Sequence, residues 1–458
     1  MNDQRRRLTL GIVKSLDTQT LVRLDRQHVW HPFTQMKQWL ADDPLVITDA
    51  QGMHLIDSEG RRYLDGVSSL WCNVHGHRVP EIDQAVRRQL DRVAHTTMLG
   101  LASEPAIVLA DRLMRLVPAG LCKIFYSDSG ATATEIAFKL AVQYWHNQGQ
   151  AEKNEFVGFA GAYHGDTVGA MSVGRTEGFH RPYFPLLFKT HFAPSPDIFH
   201  SPTPTDPQAV KNSALAALAQ ILRQHHRRIA AVCIEPIVQG AAGMIVHPPG
   251  FLTGVRELCD EADVLLVADE VAVGFGRTGR MFALEHESVR PDLLCVGKGI
   301  SGGYLPLAAT FATQRIFDAF LGEPQENKTF FHGHTYTGNP LACAAAIASL
   351  DLFEKNQLQE SVRRKSAQIA ELLIDLRSLP QVGDIRQKGF MVGIELSGFD
   401  PRRRTAAAVC AAVRRHGVIL RPLGDVIVLM PPLAMPLEDL RTIVEAIQIE
   451  IAALRDNE

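Results

Sequence analysis

The sequence predicts an α/β fold: a large, mostly parallel sheet covered by helices, followed by a smaller α/β unit. Three observations predict it. From about residue 120, short apolar runs alternate with helical periodicity or long loops, as in a parallel sheet buried on both faces. After "GNPLACAAAIASLDLF", a long helix by its pattern, the texture changes to two helical stretches, about 358–378 and 402–416, bracketing "IRQKGFMVGIEL". At 458 residues the chain is long enough for two or three subdomains.

In chain order, the opening "MNDQRRRLTLGIVKSLD" has an apolar stretch too short for a signal peptide and no small-residue cleavage site. The strand-like runs are "KIFYS", "EFVGFA", "IAAVCIEPIV", "VLLVADEV", "DLLCVGK" and "PLAATFAT". Between the second and third, residues 191–207 hold five prolines in "HFAPSPDIFHSPTPTDP", which predicts an irregular surface segment. "VILRPLGDVIVLMPPL" and the amphipathic end "LEDLRTIVEAIQIEIAALR" close the smaller unit, and no internal repeat is visible.

The bulk numbers exclude several classes. With 47 basic and 50 acidic residues the net charge is −3, so there is no electrostatic case for nucleic acid or an anionic membrane. The basic clusters, at Arg5-Arg6-Arg7, residues 225–228 and Arg402-Arg403-Arg404, are short and scattered. The apolar run "LACAAAIASL" is far short of a membrane span. Seven cysteines, odd in number and without C-x-x-C, fit a reducing cytoplasm better than a disulfide framework.

Ligands of open α/β sheets gather outside the carboxyl ends of the strands, so what each apolar run delivers at its end matters. "KIFYS" leads into Asp128-Ser129-Gly130-Ala131, "AAVCI" delivers Glu235, "VLLVA" delivers Asp269 and Glu270, and "LLCVG" delivers Lys298. Each has an ordinary reading taken alone: a lysine snorkelling from a strand end, a satisfied core carboxylate, a glycine turn before a helix. Together they place charged groups from three strands, and a tight turn, on one rim.

In "SDSGATATEIAFKLAVQYW" the turn runs straight into a helix, and Thr132 with Glu135 has the spacing of a capping box. Backbone N–H groups at Ser129, Gly130 and Ala131 can close on an anion at the positive helix end. The stretch lacks G-x-G-x-x-G and a following G-K-[ST], which argues against a dinucleotide site and a P-loop. A buried Asp269 needs a cationic partner, and a protonated pyridine nitrogen would serve. An amine that attacks an aldehyde must be partly neutral, so Lys298 belongs in a desolvated place, with flanking glycines leaving room for a ring. Phosphate cup, carboxylate and lysine together specify pyridoxal phosphate.

"VLLVADEVAVGFGRTGRMFALEHESVRPDLLCVGKGISGG" resembles the signature of the class III (ω-type) pyridoxal-phosphate aminotransferases, with Asp269 and Lys298 29 positions apart. The resemblance runs from about residue 28 to the C-terminus. It implies a fold-type I enzyme with an N-terminal segment 1–78, a large cofactor-binding domain 79–345 and a small domain 346–458. By that likeness Lys298 carries the cofactor and then moves a proton between the substrate carbon and the cofactor's C4′, while Asp269 pairs with the pyridine nitrogen. Gly130 and Ala131 hold the phosphate, Tyr163 of "GAYHGDT" stacks on the ring, Val271 packs on its other face, and Glu235 joins the polar network. "FFHGHTYTGNPLACAAA" matches a loop that brings Gly333, His334 and Thr335 to a neighbouring subunit's phosphate, which implies a homodimer with shared sites.

The resemblance extends to the substrate side. "DRQHVWHPFTQMKQW" and "YLDGVSSLWCNVHGH" place Phe33, Leu70 and Trp71 in a substrate pocket, where better-known members carry a tyrosine at Phe33 and a tryptophan at Leu70. Arg421 would bind a substrate carboxylate with its guanidinium fork. The His75/His77 and His332/His334 pairs fall inside family motifs, with no carboxylate or cysteine at supporting sequence spacing, so no metal is expected.

Overall fold

The computed structural model describes residues 16–454, so the Arg5-Arg6-Arg7 cluster and nearly all of the opening segment lie outside the described residues. A seven-stranded sheet forms the centre, in the spatial order Leu121–Ser127, Ala308–Thr313, Leu293–Val296, Leu265–Asp269, Ile229–Ile234, Glu155–Phe159 and Thr190–Ala193. Ala308–Thr313 runs antiparallel to both its neighbours, and the pairings from Leu293–Val296 across to Thr190–Ala193 are parallel. The three strands that carry Glu235, Asp269 and Lys298 at or beyond their ends are buried at every residue. Successive residues feed opposite faces, so unbroken apolar runs are required. Leu265 and Val267 pack in a cluster with Ile136, Ala137 and Leu140 of the helix Gly130–Asn147, whereas Leu266 and Ala268 pack in the one that contains Phe251 and Leu252.

Two smaller sheets flank this core. One joins the two chain ends: Ile47–Gln51, His54–Asp57 and Arg62–Asp65 form antiparallel pairs, and Val418–Ile419 adds in parallel through Val418 and Leu64. The other is the antiparallel set Val382–Lys388, Met391–Leu396, Val426–Leu429 and Arg421–Leu423. The helix Pro340–Lys355 runs through the expected division at residue 345 and packs on Pro80–Leu90 and Glu104–Met114. No helix among the described residues is long and apolar enough to cross a membrane.

Some expectations need correction. The proline-rich segment is irregular only from residue 194: Thr190–Ala193 pairs with Phe156–Phe159 as an edge strand, and Pro194 ends it by withholding a donor. Pro207 then opens the helix Pro207–His225, where its missing N–H costs nothing. The stretch expected over 402–416 is α-helical only over Thr405–Ala412, with 3₁₀ turns over Pro401–Arg403 and Val413–His416 on either side. That over 358–378 forms two helices in series, Leu358–Leu372 and Ile374–Arg377.

Candidate functional site

Strand register assembles the site. Ile234 pairs with Ala268, and Asp269 pairs with Cys295. Glu235, Asp269 and Lys298 therefore leave neighbouring parallel strands at one rim. Ser127 pairs with Ala308, the first residue of the antiparallel strand, which brings the turn at 128–130 to the same rim.

Lys298 has φ +41°, in the left-handed region, and starts a 3₁₀ turn. A side chain held there costs about 1–3 kcal/mol and persists only where its surroundings over-determine it. The flanking glycines do not empty the space, contrary to the sequence expectation. A Cβ on Gly297 would lie 3.3 Å from Val271 Cγ1 and 3.4 Å from Gly130 Cα, and one on Gly299 would lie 3.0 Å from Phe275 Cβ. The glycines admit protein neighbours that brace the lysine backbone. The ammonium lies 5.3 Å from the Trp71 ring centroid. Burial lowers the pKa of the Lys298 amine, against the opposing charges of Asp269 and Glu235.

Asp269 is buried, and each of its oxygens accepts a hydrogen bond: Oδ1 from the Val271 N–H at 3.0 Å and Oδ2 from His164 Nδ1 at 2.7 Å. Glu235 Oε1 accepts from the Tyr163 N–H at 3.1 Å and Oε2 from the Gly240 N–H at 2.9 Å. Burial, helped by the nearby Asp269 charge, pushes the Glu235 carboxyl up to about 7. The Tyr163 hydroxyl donates to Asp166 Oδ2 at 2.8 Å, and its ring stacks with His180 at 5.9 Å. Burial raises the Tyr163 hydroxyl above its ordinary value.

At the helix start, the capping box sits one turn earlier than expected. Ser129 is the N-cap and is reciprocated by Thr132, while Glu135 Oε1 accepts from the Gly169 N–H at 2.7 Å and the Ala170 N–H at 3.2 Å. A Cβ on Gly130 would fall 2.4 Å from Val271 Cγ1, so glycine is required there. Ala131 packs against Gly165, whose own Cβ would fall 2.3 Å from that of Ala131. Helix start, Val271 and the loop carrying Tyr163 thus close on one another.

The residues expected on the substrate side form a second group. Trp71 is buried with Gly240 against its ring, and Leu70 beside it is exposed. Their turn is strained, with φ of +52° at Ser68, +61° at Ser69 and +64° at Trp71. The buried Arg277 holds it, donating to Ser68 Oγ at 2.9 Å, to the Asn73 carbonyl at 2.8 Å and to the Pro431 carbonyl. The Arg421 guanidinium carbon lies 5.8 Å from the Phe33 ring centroid, and Phe33 meets Phe179 edge-on at 5.5 Å. The Arg421 charge also acts on the Tyr163 hydroxyl, which ties this group to the first.

The loop at 333–335 meets the turn that opens the helix Gly130–Asn147. Gly333 and Thr335 are exposed, and His334 Nδ1 bonds Asp128 Oδ2 at 2.8 Å. The carboxylates missing from the sequence spacing around the histidine pairs are present in space: Asp128 meets His334, and Asp65 meets His77 Nε2 at 3.0 Å. His75 instead bonds Ser349 Oγ.

Two residues of consequence escaped sequence reasoning. His164 stands next to Tyr163 in "GAYHGDT", and Arg277 lies in "GFGRTGR"; their partners are 105 and more than 150 residues away, so only their place inside quoted motifs marks them. A desolvated amine, a carboxylate with donors on both oxygens, an aromatic ring and an 18-residue helix opening at Gly130 make a donor set that fits pyridoxal phosphate.

Known proteins resemble this chain along nearly its whole length. Residues 36–451 match the aminotransferase class-III family. The chain is 52% identical to the adenosylmethionine-8-amino-7-oxononanoate aminotransferase of Geobacter sulfurreducens over 95% of its own length and 98% of that protein. It is 48% identical to the enzyme of the same name from Aquifex aeolicus, over 96% and 98% respectively. The crystal structure of the enzyme of that name from Methanocaldococcus jannaschii superposes with a TM-score of 0.90 at 41% identity, covering 95% of this chain and 99% of that one. An amine transaminase from an uncultivated Pseudomonas species, solved with PLP bound, gives 0.88 at 35% identity, covering 93% and 98%.

Proposed function

The chain belongs to the class-III aminotransferases, and from that premise we propose that it aminates 8-amino-7-oxononanoate to 7,8-diaminononanoate, in biotin synthesis, with S-adenosylmethionine as donor. It is a pyridoxal-phosphate-dependent transaminase of α/β fold type I. The observation that carries the choice of acceptor is full-length similarity to enzymes named for that reaction.

Pyridoxal phosphate supplies an aldehyde that takes the amino group from one substrate for the next, and a ring that accepts the electrons of the broken C–H bond. Lys298 would hold the cofactor through its amine and, once released, would take the proton from the substrate carbon. Its burial favours the neutral, proton-accepting form. Asp269, oriented by His164 and the Val271 N–H, offers its carboxylate to the pyridinium N–H. Gly130 and Ala131 would present the helix end to the phosphate, Tyr163 and Val271 would flank the ring, and Glu235 anchors the Tyr163 and Gly240 backbone.

Arg421 takes the acceptor's carboxylate, with Phe33, Leu70 and Trp71 as the pocket wall. Trp71 and Phe33 offer aromatic faces to a sulfonium donor. Gly333, His334 and Thr335 serve the cofactor of a second copy, so the working unit is a homodimer. The proposed domain divisions lie at about residue 78 and, within the helix Pro340–Lys355, at about residue 345. Seven unpaired cysteines support a cytoplasmic location.

The test is product formation by the holoenzyme from 8-amino-7-oxononanoate, with S-adenosylmethionine or lysine supplied as sole donor and the diamine measured by mass. Diamine formed with S-adenosylmethionine supports the whole reading, and diamine formed only with lysine changes the donor alone. No diamine with either, alongside turnover of an ω-amino acid or polyamine with a 2-oxo acid, contradicts it.

A further inference from the structure

The proline-rich segment roofs a cavity of about 780 Å³ between the central domain and the strand Val382–Lys388. None of its lining residues belongs to the group around Lys298. Ile198, Phe199 and Pro204 of the segment form one wall, and Ile245 and Pro248 form another. This volume is within the usual range for small-molecule sites, about 300–1,000 Å³.

Among the described residues, every charged side chain lining it has a hydrogen-bond partner, with one exception. Asp197 is bonded to His200 at 2.7 Å. Arg386 donates to Asp384 at 3.0 Å, Glu395 at 2.6 Å and the Gly243 carbonyl at 2.7 Å. Glu287 caps the helix Phe251–Glu261, accepting from the Gly250 and Thr253 N–H groups at 2.8 Å each. Burial brings His286 down to about 4 and His247 to about 3, so both imidazoles are neutral at pH 7. Lys388 remains. Among the described residues its half-buried ammonium has no hydrogen bond and no ion pair, with Glu287 and Arg280 as the charged groups nearby.

We propose that this cavity is a second ligand site, taking a medium-chain alkyl monocarboxylate with its carboxylate on Lys388 and its chain against the proline-rich wall. A cation without a direct partner calls for an anion, and a desolvated charge gains most from such a partner. A polyanion would meet Asp197, Glu287 and Asp384 in the same lining and be repelled. Isoleucine, phenylalanine and proline walls suit an alkyl body. The segment that the transamination chemistry does not use thereby acquires a role, as the apolar roof of this site.

Nonanoate is the probe, chosen because the proposed acceptor is a nine-carbon acid; that choice rests on the proposed function. Calorimetric titration of the holoenzyme is compared for the parent, Arg421→Ala, and Arg421→Ala combined with Lys388→Ala. Binding that persists in Arg421→Ala and weakens about ten-fold or more when Lys388→Ala is added is the expected result. Adding Ile245→Trp to Arg421→Ala instead fills the cavity and abolishes the binding, which provides the same test should Lys388→Ala fail to fold. Loss of all nonanoate binding in Arg421→Ala, or affinity indifferent to both additions, overturns the proposal. Binding that depends on Lys388 in an enzyme inert toward 8-amino-7-oxononanoate would remove the acceptor assignment and leave the second site standing.

Discussion

His164 Nδ1 donates to Asp269 Oδ2 at 2.7 Å, and both side chains are almost wholly withdrawn from solvent. A carboxylate oxygen accepts here, so His164 Nδ1 carries the proton of this bond, and the bond sets the direction in which Asp269 faces. On the proposed assignment, the cofactor's pyridine nitrogen would meet an oriented carboxylate in a low-dielectric setting, where the interaction is strongest.

Replacing Asp269 by Asn keeps the shape and removes the charge. We expect kcat to fall by about 100-fold or more, with cofactor still bound, as read from steady-state rates and the absorption of the purified protein. A kcat within about three-fold of the parent would contradict the assigned role.

Lys298→Ala is expected to lower turnover by about 10⁴-fold. Borohydride reduction followed by intact-protein mass measurement should show the covalent cofactor on the parent chain and none on the variant. An adduct that survives in the variant would assign the covalent link to another lysine.

Glu235 and Glu270 give stability a pH dependence of definite sign. Burial raises their carboxyls to about 7 and about 8, above the ordinary 4.5, so the folded state binds more protons than the unfolded one between those values. Their contribution is fully present below about 4.5 and is lost as pH rises through about 7 to 8. At about 1.4 kcal/mol per pH unit, each amounts to a few kcal/mol. Denaturant midpoints measured from pH 5 to 7.5 should fall in the parent and fall less in Glu235→Gln; identical slopes would refute this.

Arg421→Ala should raise the KM for 8-amino-7-oxononanoate by about 10- to 100-fold, and Arg421→Lys should recover only part of the loss, because a fork is replaced by a point charge. The half-reaction with S-adenosylmethionine should change far less. An acceptor KM unaffected by Arg421→Ala would move carboxylate recognition elsewhere.

Glu235, Asp269 and Lys298 were legible in the sequence because each follows an apolar run that must be a buried strand. Parallel strands deliver their ends to one rim. The glycines around Lys298 were recognised but misread: Val271, Gly130 and Phe275 fill the space they leave, a relation between segments up to 167 residues apart. The cap at Ser129 was misplaced by a turn because Thr132 fits either register, and Glu135 is drawn instead to the N–H groups of Gly169 and Ala170. Arg277 and the strained turn at Ser68–Trp71 left no local signal, since partners from both chain ends hold them in place.

The most direct test of the account is the visible absorption of the purified holoenzyme before and after adding 7,8-diaminononanoate with no other amine present. Each half-reaction is reversible, so the account predicts that the band of the lysine-linked cofactor is lost as this diamine gives up its amino group. A band unchanged at saturating diamine, yet bleached by an ω-amino acid or a polyamine, would contradict it.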